Sequence, residues 1–171
     1  MPKEKPELMI VNDDKEWLDL LVDIMSKRGY DVVTADGSYQ AIDQMAIRLH
    51  EGTSPPDIYL CDMLDRDHVI AKIEVKEWQE SKLKNIHPAI ALNFCNYLAS
   101  KSIKPEYFVA HSLCLSRGDM AIAKELGIPL INTNGNELYN FFPDITGLTR
   151  EDALKKYAEN YSQMLKRYKR E

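Results

Sequence analysis

Short unbroken apolar runs recur along the chain, and between them apolar residues return every three or four positions. The runs are Leu8-Met9-Ile10-Val11, Asp31-Val32-Val33-Thr34-Ala35, Ile58-Tyr59-Leu60-Cys61, Tyr107-Phe108-Val109-Ala110-His111 and Ile128 to Ile131. A short run without polar alternation predicts a strand buried on both faces, as in a parallel sheet covered by helices. The intervening stretches predict amphipathic helices. Trp17, Leu18, Leu20, Leu21, Ile24 and Met25 share helical spacing from Lys15 to Lys27, and Gly29 follows as a stop. Ala41, Ile42, Met45, Ala46 and Leu49 form a second such face. Ile90, Ala91, Phe94, Cys95 and Leu98 form a third behind His87-Pro88, and Met120 to Leu126 a fourth ended by Gly127. The last helix, about 149–170, opens on Thr149-x-x-Asp152, which is similar to a capping box. It carries Ala153, Leu154, Tyr157, Ala158, Tyr161, Met164, Leu165 and Tyr168 on its buried side.

Strand and helix alternating five times call for right-handed crossovers and an α/β fold built on one parallel sheet. With 171 residues and no internal repeat, the chain reads as a single domain over 1–171. A net charge of -5 gives no broad positive field, which argues against nucleic acid or an anionic membrane as partner. The basic run Lys166-Arg167-Tyr168-Lys169-Arg170 lies beside Glu159 and Glu171 and reads as a solvated helix face. The polar amino terminus, followed by only the four apolar residues Leu8 to Val11, forms neither a signal peptide nor a membrane span, so a cytoplasmic protein is expected. Cys61, Cys95 and Cys114 make no C-x-x-C pair and read as buried free thiols.

The chemistry collects where strands end. Asn12-Asp13-Asp14 follows the first strand, Asp62 ends the third and Ser112 follows the fourth. In an open α/β sheet, ligand and catalytic groups sit beyond the carboxyl ends of the strands. Carboxylates gathered there repel one another, and a divalent cation with oxygen ligands, usually magnesium, relieves that repulsion. A carboxylate beside bound magnesium can attack phosphorus and form an aspartyl phosphate. Asp65, Asp67 and His68 lack a fourth ligand at fixed spacing and read as a charged loop, and His111 reads as a core histidine.

Ile10-Val11-Asn12-Asp13-Asp14, Trp17-Leu18-x-x-Leu21, Gly29-Tyr30-x-Val32-Val33-x-Ala35, Ala41-Ile42 and the strand from Asp57 to Asp62, in that order and spacing, resemble the receiver domain of two-component response regulators. The resemblance covers residues 7 to 64 closely and 86 to 140 more loosely. It implies a flavodoxin-like (CheY-like) doubly wound sheet of strand order 2-1-3-4-5. It makes Asp62 the phosphoacceptor, charged by a sensor histidine kinase or phosphotransfer protein, and Ser112 the switch hydroxyl, fifteen residues before Gly127. Magnesium would be held by Asp13, Asp62 and the backbone carbonyl of Leu64, with Asp14 compensating for Asn12, which stands where the family has a further acid. Output would pass to a downstream protein target, with no enzymatic activity beyond self-phosphorylation from a phosphodonor.

Two departures qualify that reading. The family's lysine at the end of the fifth strand is missing, because Asn132-Thr133-Asn134-Gly135 stands there and no Lys or Arg occurs between Lys124 and Arg150. Asn134 and Thr133 are the phosphate contacts left in its place, and Leu130 and Ile131 stand where a switch aromatic is expected. The alternative is therefore a pseudo-receiver scaffold that never takes phosphate. A metal-dependent phosphohydrolase is a minor alternative, because Ile10-Val11-Asn12-Asp13-Asp14 is also similar to the metal motif of survival-protein nucleotidases, although Lys15 replaces the glycine expected there.

The second departure is length. Asp62 and Ser112 stand about 50 positions apart, whereas one helix and two ordinary loops need roughly 25 to 30. The surplus falls on an insertion at about 65–84, whose Ile70, Ile73 and Trp78 form the candidate partner-binding face. Replacing residues 66–84 with a short linker is expected to remove partners that the intact protein recovers in a pull-down; identical recoveries would show that the insertion binds nothing.

Overall fold

The computed structural model describes residues 3–63, 90–103, 107–112, 117–133 and 136–169. Five strands alternate with helices: β1 (Glu7–Val11), α1 (Lys15–Lys27), β2 (Asp31–Ala35), α2 (Ser38–Glu51), β3 (Ile58–Asp62), α3 (Ile90–Ser100), β4 (Phe108–Ser112), α4 (Arg117–Leu126), β5 (Leu130–Asn132), α5 (Glu137–Phe141) and α6 (Arg150–Tyr168). All pairings are parallel, and the strand order is β2-β1-β3-β4-β5. This is the order expected from the sequence: the chain passes from β1 outward to β2, then back across β1 to β3 and on to β4 and β5. Leu64, Asn134, Cys114 and the insertion with Ile70, Ile73 and Trp78 lie outside the described residues.

The unbroken apolar strands are explained by two cores. Met9, Val11, Tyr59, Cys61, Phe108, Ala110 and Leu130 face α2, α3 and α4. The alternate residues Leu8, Ile10, Ile58, Leu60, Val109 and Ile131 face α1, the α5 segment and α6. Each central strand is thus covered on both sides, and helices on both faces make the sheet doubly wound. Cys61 and Cys95 are buried free thiols, and burial pushes both up, Cys95 to about 12. Among the described residues no helix is long and apolar enough to cross a membrane.

Four local expectations shift. Leu20 has helical spacing but is 47% exposed, so the buried stripe of α1 narrows to Leu18, Leu21 and Met25. Ala46 and Leu49 are likewise exposed, and α2 buries Ser38, Ala41 and Met45. Ile128 does not enter β5. Gly127 turns left-handed at φ 69, and the Ile128 N–H reaches back 3.1 Å to the Ala123 carbonyl to close α4. Pro129 then has no N–H to donate, and the strand starts at Leu130. The fourth strand runs one residue later than its apolar run, from Phe108 to Ser112.

A short helix, α5, precedes the expected carboxy-terminal one, and residues between them strap the end of α1. Arg28 Nε donates to the Phe142 carbonyl at 2.7 Å, the Ile145 N–H to the Arg28 carbonyl at 2.8 Å and Tyr30 Oη to the Pro143 carbonyl at 2.8 Å. The strap leaves no room at Gly29. A Cβ there would lie 2.9 Å from Thr146 N and 3.0 Å from the Ile145 carbonyl carbon. Helix α6 begins as its sequence indicates, with Thr149 accepting from the Asp152 N–H at 3.2 Å.

Gly29→Ala is expected to lower the unfolding free energy by more than the roughly 1–2 kcal/mol that left-handed backbone alone costs a residue with a Cβ, because Gly29 has φ 99 and a backbone neighbour in the way. Gly52→Ala, at φ 70 with nothing within 4 Å, is the control and should show only the conformational cost. Urea unfolding of both variants measures the difference.

Candidate functional site

Because the strands are parallel, β1, β3, β4 and β5 all run out at one edge. Val11 pairs with Cys61, Asp62 with His111 and Ser112 with Asn132. Asp62 therefore lies one step past the last β1–β3 pair, beside the turn that carries Asn12 and Asp13. It is half-buried between the buried Cys61 and Met63.

The turn after β1 is ordered from within. The buried Asn12 donates its N–H to the Ala35 carbonyl at 3.1 Å, and its Oδ1 accepts the Asp14 N–H at 2.8 Å. That aims Asp14 at α1, where its Oδ1 accepts from Glu16 N at 3.1 Å and Trp17 N at 3.3 Å. Asp14 is the N-cap of α1, a role worth about 1 kcal/mol. Asn12, in the place of a further acid, sets up this cap.

Behind Asp62 the edge is closed by polar side chains. Ser112 and Thr133 are 2% and 7% exposed. Thr133 donates its N–H to the Ser112 carbonyl at 3.1 Å, and its Oγ1 lies 2.9 Å from Nδ1 of His111, itself only 1% exposed. Burial pushes the His111 imidazole down to about 4, so it is neutral near pH 7. At the end of β5, the Asn132 N–H donates to Oε2 of Glu137 at 3.0 Å. A carboxylate thus binds the strand end where the receiver-domain resemblance implies a lysine.

No family model matches the sequence, and no curated protein matches it. Solved structures match its fold. The receiver domain of Francisella response regulator 1452 superposes with a TM-score of 0.53 at 10% identity, over 94% of this chain and 99% of that one. The chemotaxis protein CheY4 of Vibrio cholerae superposes at 0.54 and 12% identity over 96% and 98%. A CheY-like response regulator receiver domain protein of Methanospirillum hungatei JF-1 does so at 0.53 and 16% identity over 95% and 98%. The fold is that of a receiver domain.

Within this receiver fold, Asp13, Asp62 and Ser112 stand at one edge, Asp14 stands there as a helix cap, and Thr133 lies behind Ser112 on His111. The donors suit magnesium in kind: Asp13 and Asp62 offer only oxygen, and magnesium is commonly held by one or two carboxylates while keeping several waters. Among the described residues no three His, Cys, Asp or Glu side chains are grouped as a metal site. Two residues escape a reading of the sequence alone. His111 looks like an ordinary core histidine until strand register sets it level with Asp62, and Glu137 carries no local signal for binding β5.

The His111 pKa has a consequence for stability. Its unfolded value is about 6.5, so between there and about 4 the unfolded chain holds the extra proton. Stability is then full above about pH 6.5 and falls as the pH drops toward the folded pKa, by about 2 kcal/mol at pH 5. In urea unfolding of wild type and His111→Leu, the variant is expected to lose that much less between neutral pH and pH 5. Parallel losses would show that His111 is not the group responsible.

Proposed function

We propose that the chain is an atypical response-regulator receiver that accepts a phosphoryl group on Asp62 and signals through protein contacts. The observation that carries this reading is the meeting of Asp13, Asp62 and Ser112 at the carboxyl edge of a receiver fold. A carboxylate oxygen of Asp62 attacks phosphorus on a phosphohistidine, the P–N bond breaks and the imidazole leaves. The donor is a sensor histidine kinase or a phosphotransfer protein, and the recipient of the signal is a downstream protein. Magnesium, when bound, offsets the charge of the transferring group; Asp13, Asp14, Asp62 and the Leu64 carbonyl would hold it. Ser112 would offer its hydroxyl to a phosphoryl oxygen.

A specific observation favours a second reading, a pseudo-receiver that works without phosphate. No Lys or Arg lies between Lys124 and Arg150, and Glu137 holds the Asn132 N–H. Asp62 therefore lacks from β5 the positive group that would stabilise a phosphoryl dianion.

Labelling with acetyl phosphate and magnesium separates the two. Asp62 displaces acetate from phosphorus, and the expected result is slow labelling of wild type, none of Asp62→Asn, and faster labelling of Asn134→Lys or Thr133→Lys. A missing preorganised charge costs about 3 kcal/mol, so the gain should approach a hundredfold where the new ammonium is well placed. No label on any variant, with the proteins folded, would leave the pseudo-receiver.

A further inference from the structure

Asp62 and His111 are register partners on adjacent strands. Strand alternation puts both on the side of Leu60 and Val109, which pack in the core beneath α1 and α6. Neighbouring parallel strands are about 4.8 Å apart, so the buried imidazole lies next to the Asp62 position. On its other side the ring is tied to Thr133 through Nδ1 and Oγ1 at 2.9 Å. Its second nitrogen, Nε2, is buried and has no hydrogen-bond partner among the described residues. The bond to Thr133 is thus the ring's polar anchor there. Thr133 is held a second time by its N–H on the Ser112 carbonyl, and it directly follows the last residue of β5.

We infer that His111 is a positioning residue that couples Asp62 to the end of β5 through its hydrogen bond to Thr133. The inference rests on Asp62 being the phosphoacceptor, and it supplies a path in a chain with neither a lysine nor an aromatic residue at that strand end. A phosphoryl group on Asp62 adds bulk and roughly two negative charges beside the ring. The imidazole sits in a close-packed core and cannot yield without changing its bond to Thr133. Thr133 in turn leads back into Asn132, whose N–H is held by Glu137 of α5. Movement of the ring is therefore passed to β5 and α5.

The test is nitrogen-15 NMR of the full chain, treated with acetyl phosphate and magnesium, with phosphorylated Asp62 quantified by mass spectrometry. In the phosphorylated fraction, the ring nitrogens of His111 and the amides of Ile131 and Asn132 are expected to shift. Thr133→Val, which removes the hydroxyl and keeps the shape, should at least halve the Ile131 and Asn132 shifts per phosphorylated molecule, and Thr133→Ser should restore them. Phosphorylated Asp62 with unmoved His111 ring signals, or a full β5 response in Thr133→Val, overturns the coupling and leaves the phosphoacceptor in place. No phosphorylation of Asp62 overturns both. Should Thr133→Val fail to fold, the His111 ring signals of the wild type decide alone.

Discussion

Burial of the central strands on both faces is the constraint on which the rest of this molecule depends. Along β3, from Ile58 to Cys61, every residue is buried, and β1 and β4 are buried throughout. Such strands cannot carry chemistry in their middles without stranding polar groups away from water. Polar side chains are admitted where the strands stop, and in a parallel sheet they stop together. The meeting of Asn12, Asp13, Asp62 and Ser112 at one edge follows from the same apolar runs that build the core.

Helix α6 completes that burial. Tyr157 and Tyr161 stack with ring centres 6.0 Å apart, and Tyr107 meets both edge-on at 5.4 and 5.5 Å. Tyr161 Oη donates to the Phe108 carbonyl at 3.0 Å, at the first residue of β4. Aromatic pairs of this kind add about 0.5–1.5 kcal/mol each beyond the area they bury. The strap over Gly29 fixes the other end of the same layer, so α1, α6 and the intervening turn are held as one packed unit.

What the sequence discloses follows from how far each signal reaches. Strand β3 and its terminal Asp62 are legible because an apolar run bounded by Pro56 and a carboxylate is a local pattern, and α6 is legible from its cap and its repeat. Helix α5 is not, because five residues are too few to show a period. Ile128 misleads because an apolar residue after a helix-ending glycine can close the helix as well as start a strand. Asp14 carries two meanings, since an aspartate just before an apolar-periodic segment is both a helix cap and a metal-ligand candidate, and the donors at Glu16 and Trp17 establish the first through Oδ1. The His111–Thr133 bond spans two strands and depends on register, which no local pattern contains.

The opposite edge of the sheet differs in kind. There Glu7 of β1 is bridged by Lys3 and by Arg48 of α2, while Asp57, just before β3, accepts the Glu7 N–H and pairs with Arg150 at the start of α6. Four segments are cross-linked by charge at the amino ends of the strands, whereas the carboxyl ends lead into turns. The two ends of the sheet are therefore fastened by different forces: ion pairs that salt screens hold the amino ends of β1 and β3, and short-range hydrogen bonds within the turns, which salt leaves alone, hold the carboxyl ends.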